Sequence, residues 1–132
     1  GTADAVNAVT KTLKCKRAIP LQVSGAFHSP FMEESAKAFA AELDAVNFVD
    51  ATVPVISNSD PIPTSDGALL KERLKQQMST GVRWRETMDA MLNLGVNTFV
   101  EIGPGNVLSG LARRCMKNVV TSQLASASDL GY

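Results

Sequence analysis

The chain changes pattern abruptly at Val23-Ser24-Gly25-Ala26-Phe27-His28-Ser29-Pro30-Phe31-Met32, which holds its only histidine. An apolar, strand-like run stops at His28. A helical period begins at once, with Ser29 suited to the N-cap and Pro30 to the first helical position. Strands that pass directly into helices are the building units of α/β folds. The switch sets His28 at a junction beside a helix N-terminus. The positive end of the helix dipole disfavours an imidazolium there. A neutral imidazole held at a rigid junction is suited to general-base work. The same residue can equally be a turn histidine that makes one structural hydrogen bond.

Alternation of the two periods runs along the whole chain. Thr2 or Asp4 can cap a first helix with Val6, Val9 and Leu13 on one face. Lys14 to Arg17 form a basic link, and Arg17 to Ser24 reads as a strand, with Pro20 marking an edge. Pro30 to Val46 is the clearest helix, its apolar side formed by Met32, Ala36, Phe39, Leu43 and Val46. Thr52 to Ser57 predicts a short β-branched strand, and Asn58 to Ser65 a loop. Ser65 or Asp66 then caps a helix with Leu70, Leu74, Gln77 and Met78 on one stripe. Gln77, the polar member, lies at the edge of the buried face or turns toward a site.

Trp84, Met88, Met91 and Leu92 mark another helix, closed by Gly95. Asn97 to Ile102 predicts a strand, and Gly103-Pro104-Gly105 a tight turn into a last helix. That helix is expected to turn Val107, Leu108, Leu111, Ala112 and Cys115 inward. Ser122 to Tyr132 is small and polar and reads as a tail. The fold class is α/β.

With 132 residues the prior is one domain, and 45% hydrophobic residues suffice for a core. Thirteen basic and thirteen acidic residues cancel, so no strong field points to nucleic acid or a membrane. No apolar run is long enough to span a bilayer. Cys15 and Cys115 lie far apart, at neither a metal spacing nor a disulfide spacing, which points to a reduced compartment and no metal or cofactor. There is no initiator Met, signal peptide or transit-like start. Gly1-Thr2-Ala3-Asp4 reads as helix entry, as in a chain cut in mid-fold.

Four stretches, taken in order, carry a family resemblance: Gly25-Ala26-Phe27-His28-Ser29; Val53-Pro54-Val55-Ile56-Ser57-Asn58; Gln77 ahead of Val82-Arg83-Trp84; and Glu101-Ile102-Gly103-Pro104-Gly105-Asn106-Val107-Leu108. Together they resemble the malonyl-CoA:acyl carrier protein transacylases and the related acyltransferase domains of fatty-acid and polyketide synthases. The resemblance runs from about Ala18 to Arg114. It implies an incomplete α/β-hydrolase-like large subdomain over residues 25–120. Residues 1–24 would supply the last helix and strand of a ferredoxin-like small subdomain, and residues 121–132 a tail. The cut would leave strand edges open and favour self-association.

The family reaction implied is transfer of malonyl from coenzyme A to acyl carrier protein through a seryl acyl-enzyme. This sequence has no G-H-S-x-G elbow. The nucleophile and the arginine that pairs with the malonyl carboxylate would belong to a missing N-terminal part of the same enzyme. His28 and Gln77 are the matched catalytic positions. The resemblance gives His28 the base role and gives the main-chain carbonyl of Gln77 the role of fixing its tautomer.

Phe27 matches a position that selects malonyl over bulkier extenders, and otherwise reads as core. Asn58 holds a loop near the histidine or caps its own turn. Gly103-Pro104-Gly105 lacks the spacing of a nucleotide fingerprint and reads as a turn. The basic clusters Lys14-Lys16-Arg17 and Arg113-Arg114-Lys117 are solvated helix ends or contacts for acidic carrier protein. The implied partners are malonyl-CoA and acyl carrier protein, in bacterial cytoplasm or a plastid, apicoplast included. Two other readings stay open: a non-catalytic fragment that binds carrier protein, and an acyltransferase domain of a polyketide synthase.

Overall fold

A computed structural model of the chain describes residues 1–20 and 23–131. It is an α/β arrangement of five α-helices and one small parallel sheet among those residues. The first helix, α1 (Ala3–Thr12), starts where the sequence predicts. Thr2 is extended and its hydroxyl accepts from Ala5 N at 3.4 Å, with Asp4 in the first turn and Lys11 in the last. None of its residues is buried, and Val6, Val9 and Leu13 are all more than half exposed.

The strand expected over Arg17 to Ser24 is not found. Leu21 and Gln22 lie outside the described residues, and the rest of that segment has no regular structure. A strand persists only with a pairing partner, and no described segment bonds to this one in a ladder.

Pro30–Met32 form a 3-10 turn that leads into α2 (Glu33–Asp44), with Ser29 extended at the cap and Pro30 at the first position. Ala36 and Leu43 are buried, and Phe39 is half-buried, as the period predicts; Val46 lies beyond the helix and is exposed. The orphan carbonyls at the end of α2 are met by Lys71, whose Nζ donates to Asp44 O at 3.1 Å and Val46 O at 2.9 Å. Lys71 belongs to α3 (Gly67–Gln76), which packs on α2.

Helix α3 is capped by Asp66, which accepts from Leu69 N at 3.0 Å. Its first residue approaches the chain closely. A Cβ at Gly67 would lie 2.6 Å from the carbonyl carbon and oxygen of Val49, so only glycine fits.

The strand expected over Thr52 to Ser57 shrinks to one antiparallel bridge, Val55 with Thr64. Both of its hydrogen bonds are made, at 2.9 and 3.0 Å. Pro54 and Pro63 flank them, and neither has an N–H with which to extend the ladder.

The best-packed part is the last third. Helix α4 (Trp84–Asn93), strand β1 (Thr98–Ile102), helix α5 (Val107–Cys115) and strand β2 (Val120–Leu124) form a continuous unit. Strands β1 and β2 pair in parallel, Thr98 with Val120 through Ile102 with Leu124. Met88, Ala112 and Met116 are its core, and Trp84, Met91, Val96, Phe99 and Val119 pack around them. Trp84 and Phe99 meet edge-on, with ring centroids 6.4 Å apart.

Two expectations are corrected here. The segment from Ser122 onward is not a tail: Val120–Leu124 completes the sheet, and Ala127–Leu130 form a 3-10 turn closed by a Ser126–Asp129 capping box. A polar Thr-Ser-Gln run carries no strand pattern, and its order comes from the ladder with β1. The inward face of α5 is rotated as well. Ser109 and Ala112 are buried with Met116, while Val107, Leu108 and Cys115 are exposed.

The accessible surface is 9909 Å². A self-contained monomer of 14.0 kDa has about 6,700 Å². Exposed apolar residues such as Ile102, Val107, Val53 and Phe31 make up part of the excess.

Candidate active site

His28 is bound to the carboxyl end of α3. A helix leaves its last carbonyls without intrahelical donors, and here His28 supplies two. Its backbone N–H donates to Met78 O at 2.9 Å. Its ring Nδ1 lies 2.9 Å from Gln77 O. The chain reaches this position by a left-handed backbone at His28, φ 62°, uncommon for a side chain of this size. Ser29 Oγ donates to Ala26 O at 2.6 Å and closes the turn behind it.

A carbonyl can only accept. The ring bond is therefore made with Nδ1 protonated, which leaves the Nε2 lone pair free in the neutral ring. The side chain is exposed, so Nε2 is open to a substrate or a neighbouring hydroxyl. The local motif alone pointed to the amino end of the following helix. The ring instead faces the carbonyl end of α3, as the Gln77 match implied.

Gln77 contributes its main chain to His28. Its half-buried side chain borders a concavity of ≈ 460 Å³ that Asn58 and Leu74 also line. Asn58 and Gln77 are thus brought together. Asn58 acts on the backbone: its carbonyl accepts from Arg83 N at 2.9 Å, holding the segment that leaves α3. Phe27 is 54% exposed, so it is not core in this chain. Its ring lies against Gly25, where a Cβ would come within 3.0 Å of Cε2. Among the described residues no three His, Cys, Asp or Glu side chains converge on a metal site, and no helix is long and apolar enough to cross a membrane. Cys15 and Cys115 are both free thiols.

Two buried charged residues were not anticipated. Glu101 is 7% exposed and crosses the Gly103-Pro104-Gly105 turn to accept from Leu108 N at 3.1 Å and Ser109 N at 2.8 Å. The Ser109 hydroxyl, then the Ser109 and Leu108 amides, hold its carboxyl below the usual range. The amide bonds are the fully aligned ones; the Ser109 hydroxyl is buried without a well-directed partner. Gly103 and Gly105, at φ 129° and 90°, let the chain fold back over this carboxylate. The amino end of α5 is thereby filled by the chain's own anion, so the turn is not a phosphate loop. The second residue is Arg73 on α3, 5% exposed and paired with Asp60. An acid two residues ahead of Gly-Pro-Gly was a readable signal for Glu101; Arg73 sits in an ordinary helical run and offered none.

The fold, unlike the site, can be compared directly with known proteins. No family model matches the chain. A malonyl CoA-acyl carrier protein transacylase from Synechocystis is 48% identical over 130 residues, which are 98% of this chain and 44% of that protein. The crystal structure of the Synechocystis malonyl-CoA:ACP transacylase superposes with a TM-score of 0.91 at 47% identity, over 99% of this chain and 45% of that one. Over almost all of its length the chain is similar to these malonyl-CoA:acyl carrier protein transacylases. It spans less than half the length of the relatives it matches. A chain of the structure of a type II polyketide-synthase acyl carrier protein in complex with its malonyl-transacylase also aligns, with a TM-score of 0.86 and 30% identity over 97% of this chain and 42% of that one. In this chain the fold brings His28 and Gln77 together at the carboxyl end of α3, with Asn58 lining the same concavity as Gln77 and Phe27 next to the histidine in sequence.

Proposed function

We propose that the chain is the C-terminal part of an enzyme that transfers malonyl from coenzyme A to acyl carrier protein in fatty-acid biosynthesis. The observation that carries this reading is the bond from His28 Nδ1 to Gln77 O, which leaves Nε2 as the base. Nε2 takes the proton of a serine hydroxyl supplied by the rest of the enzyme as that oxygen attacks the thioester carbonyl. The carbon–sulfur bond breaks, and the proton passes from His28 to the departing coenzyme A sulfur. His28 then takes the proton of the carrier protein's thiol. The thiolate attacks the seryl ester, and the serine oxygen leaves with that proton. Developing positive charge on the ring is met by the Gln77 carbonyl at the negative end of α3.

In this reading residues 1–24 close a ferredoxin-like small subdomain, and the rest belongs to an α/β-hydrolase-like large one. The excess apolar surface fits a chain covered by the remainder of such an enzyme. The compartment is a bacterial cytoplasm or a plastid. Phe27 borders the malonyl α-carbon and disfavours substituted extenders.

The test uses radiolabelled malonyl-CoA. The full-length enzyme that carries this sequence is expected to take label on a serine outside it and to pass it to acyl carrier protein. The chain alone is expected to take none, because it has no serine elbow. Stable label on a serine of this chain, or no transfer by the full-length enzyme, contradicts the reading.

A further inference from the structure

The carbonyls that hold His28 sit within a closed circuit of hydrogen bonds. It begins at Arg73 on α3, whose guanidinium enters the loop after Ser57. Nη2 lies 2.6 Å from Asp60 Oδ2, and Nη1 donates to Ile62 O at 2.6 Å. The loop answers through Ser59 Oγ, which donates to the carbonyl of Arg73 at 3.2 Å. At the start of the same loop, Asn58 O accepts from Arg83 N at 2.9 Å. Arg83 ends the segment that leaves α3 and carries Gln77 O and Met78 O. From α3 the path runs through this exit segment to Asn58, along the loop to Asp60 and Ile62, and back to α3 at Arg73. Gln77 lies one helical turn beyond Arg73.

A buried charge pair is a weak source of stability, and its best-attested use is to fix registry. Burial here even leaves Arg73 Nε without an acceptor among the described residues. We infer that Arg73, through Asp60 and Ile62 O, is a positioning residue for the His28 ring, holding the exit of α3 so that Gln77 O meets Nδ1. The catalytic consequence rests on the reading of His28 as the base; the placement of the ring does not.

Ring nitrogen shifts of ¹⁵N-histidine in the full-length protein test this, with the His28 signals assigned by their loss in His28→Gln. The unchanged protein is expected to hold neutral His28 in the Nδ1–H form alone. Asp60→Asn and Arg73→Met are expected to move part of the population to Nε2–H while amide dispersion is retained. Arg73→Lys, which keeps the charge but not the two-pronged geometry, should fall between. In turnover, these variants should lose up to about 100-fold in kcat with KM little changed, the cost of a misplacement of about 1 Å.

If Arg73→Met unfolds, Asp60→Asn decides. A folded Asp60→Asn protein with His28 still wholly Nδ1–H overturns the inference. So does an equal shift in Glu101→Gln, at the β1–α5 junction, since that would mean general loosening. Failure of the transacylase reading shows differently, as no malonyl transfer by a protein whose ring remains Nδ1–H.

Discussion

His28 and Glu101 each satisfy the open end of a helix, with opposite polarity and opposite burial. Glu101 gives a carboxylate to the amides at the start of α5 and is 7% exposed. His28 gives N–H groups to the carbonyls at the end of α3 and stays exposed. One rule governs both: unpaired amides attract an anion, and unpaired carbonyls attract a donor. Exposure separates their consequences. Both Glu101 oxygens are committed to the fold, whereas His28 commits one nitrogen and keeps the other free. The first junction is an anchor, and the second is an anchor that retains a reactive atom.

Substitutions can break this contrast or sharpen it. The largest effect is expected in the core that includes Ala112 of α5, the helix whose start Glu101 binds. Met88, at 0% exposure, should cost about 2–5 kcal/mol on Met88→Ala in chemical denaturation of the full-length protein, with the His28 ring signals unmoved. A loss well under 1 kcal/mol would show that this core does not hold the junction. Next is Phe27→Ser beside the reactive junction. Exclusion of one methyl group is worth about 1–3 kcal/mol, so the methylmalonyl-to-malonyl ratio of kcat/KM should rise by tens to a couple of hundredfold. An unmoved ratio in a folded, active variant would make Phe27 ordinary packing.

Acid should weaken the Glu101 junction selectively. Its folded pKa is depressed below the ordinary value of 4.5, so the unfolded chain binds the proton first as pH falls. The contribution is complete above the ordinary range and is lost as pH drops through the depressed value. Glu101→Gln should flatten that acidic limb in thermal melts taken across pH. If the limb keeps its slope, other carboxylates set it. The smallest effect is expected from Gln77→Ala. The variant keeps the carbonyl that His28 uses, so stability should stay within about 0.5 kcal/mol and turnover should be little changed. A loss approaching that of His28 removal would mean the side chain acts directly.

Much of this was legible in the sequence where the signal is local. The caps at Thr2 and Asp66, the Pro30 start and the period of α2 depend on neighbouring residues, and they appear where expected. What failed depends on partners. Val6, Val9 and Leu13 form an apolar face that stays more than half exposed among the described residues, because a period reveals which face is apolar but not what meets it. The 52–57 strand lacks a ladder beyond one bridge, and the polar β2 acquires one from β1. At the site, the motifs brought His28, Gln77 and Asn58 together. Arg73 was unreadable, since nothing in a helical run announces that its guanidinium will be buried against a loop carboxylate.

The central claim is that His28 is the base and Glu101 only an anchor. Rapid-mixing kinetics and thermal melts of the full-length enzyme, run side by side on His28→Ala and Glu101→Gln, test it most directly. His28→Ala should slow both serine acylation and release to the carrier thiol by roughly 10²–10⁴-fold, with the melting midpoint almost unmoved. Glu101→Gln should lower the midpoint and leave the rates of the folded enzyme nearly intact. An unchanged acylation rate in folded His28→Ala would contradict the account and leave His28 a turn residue.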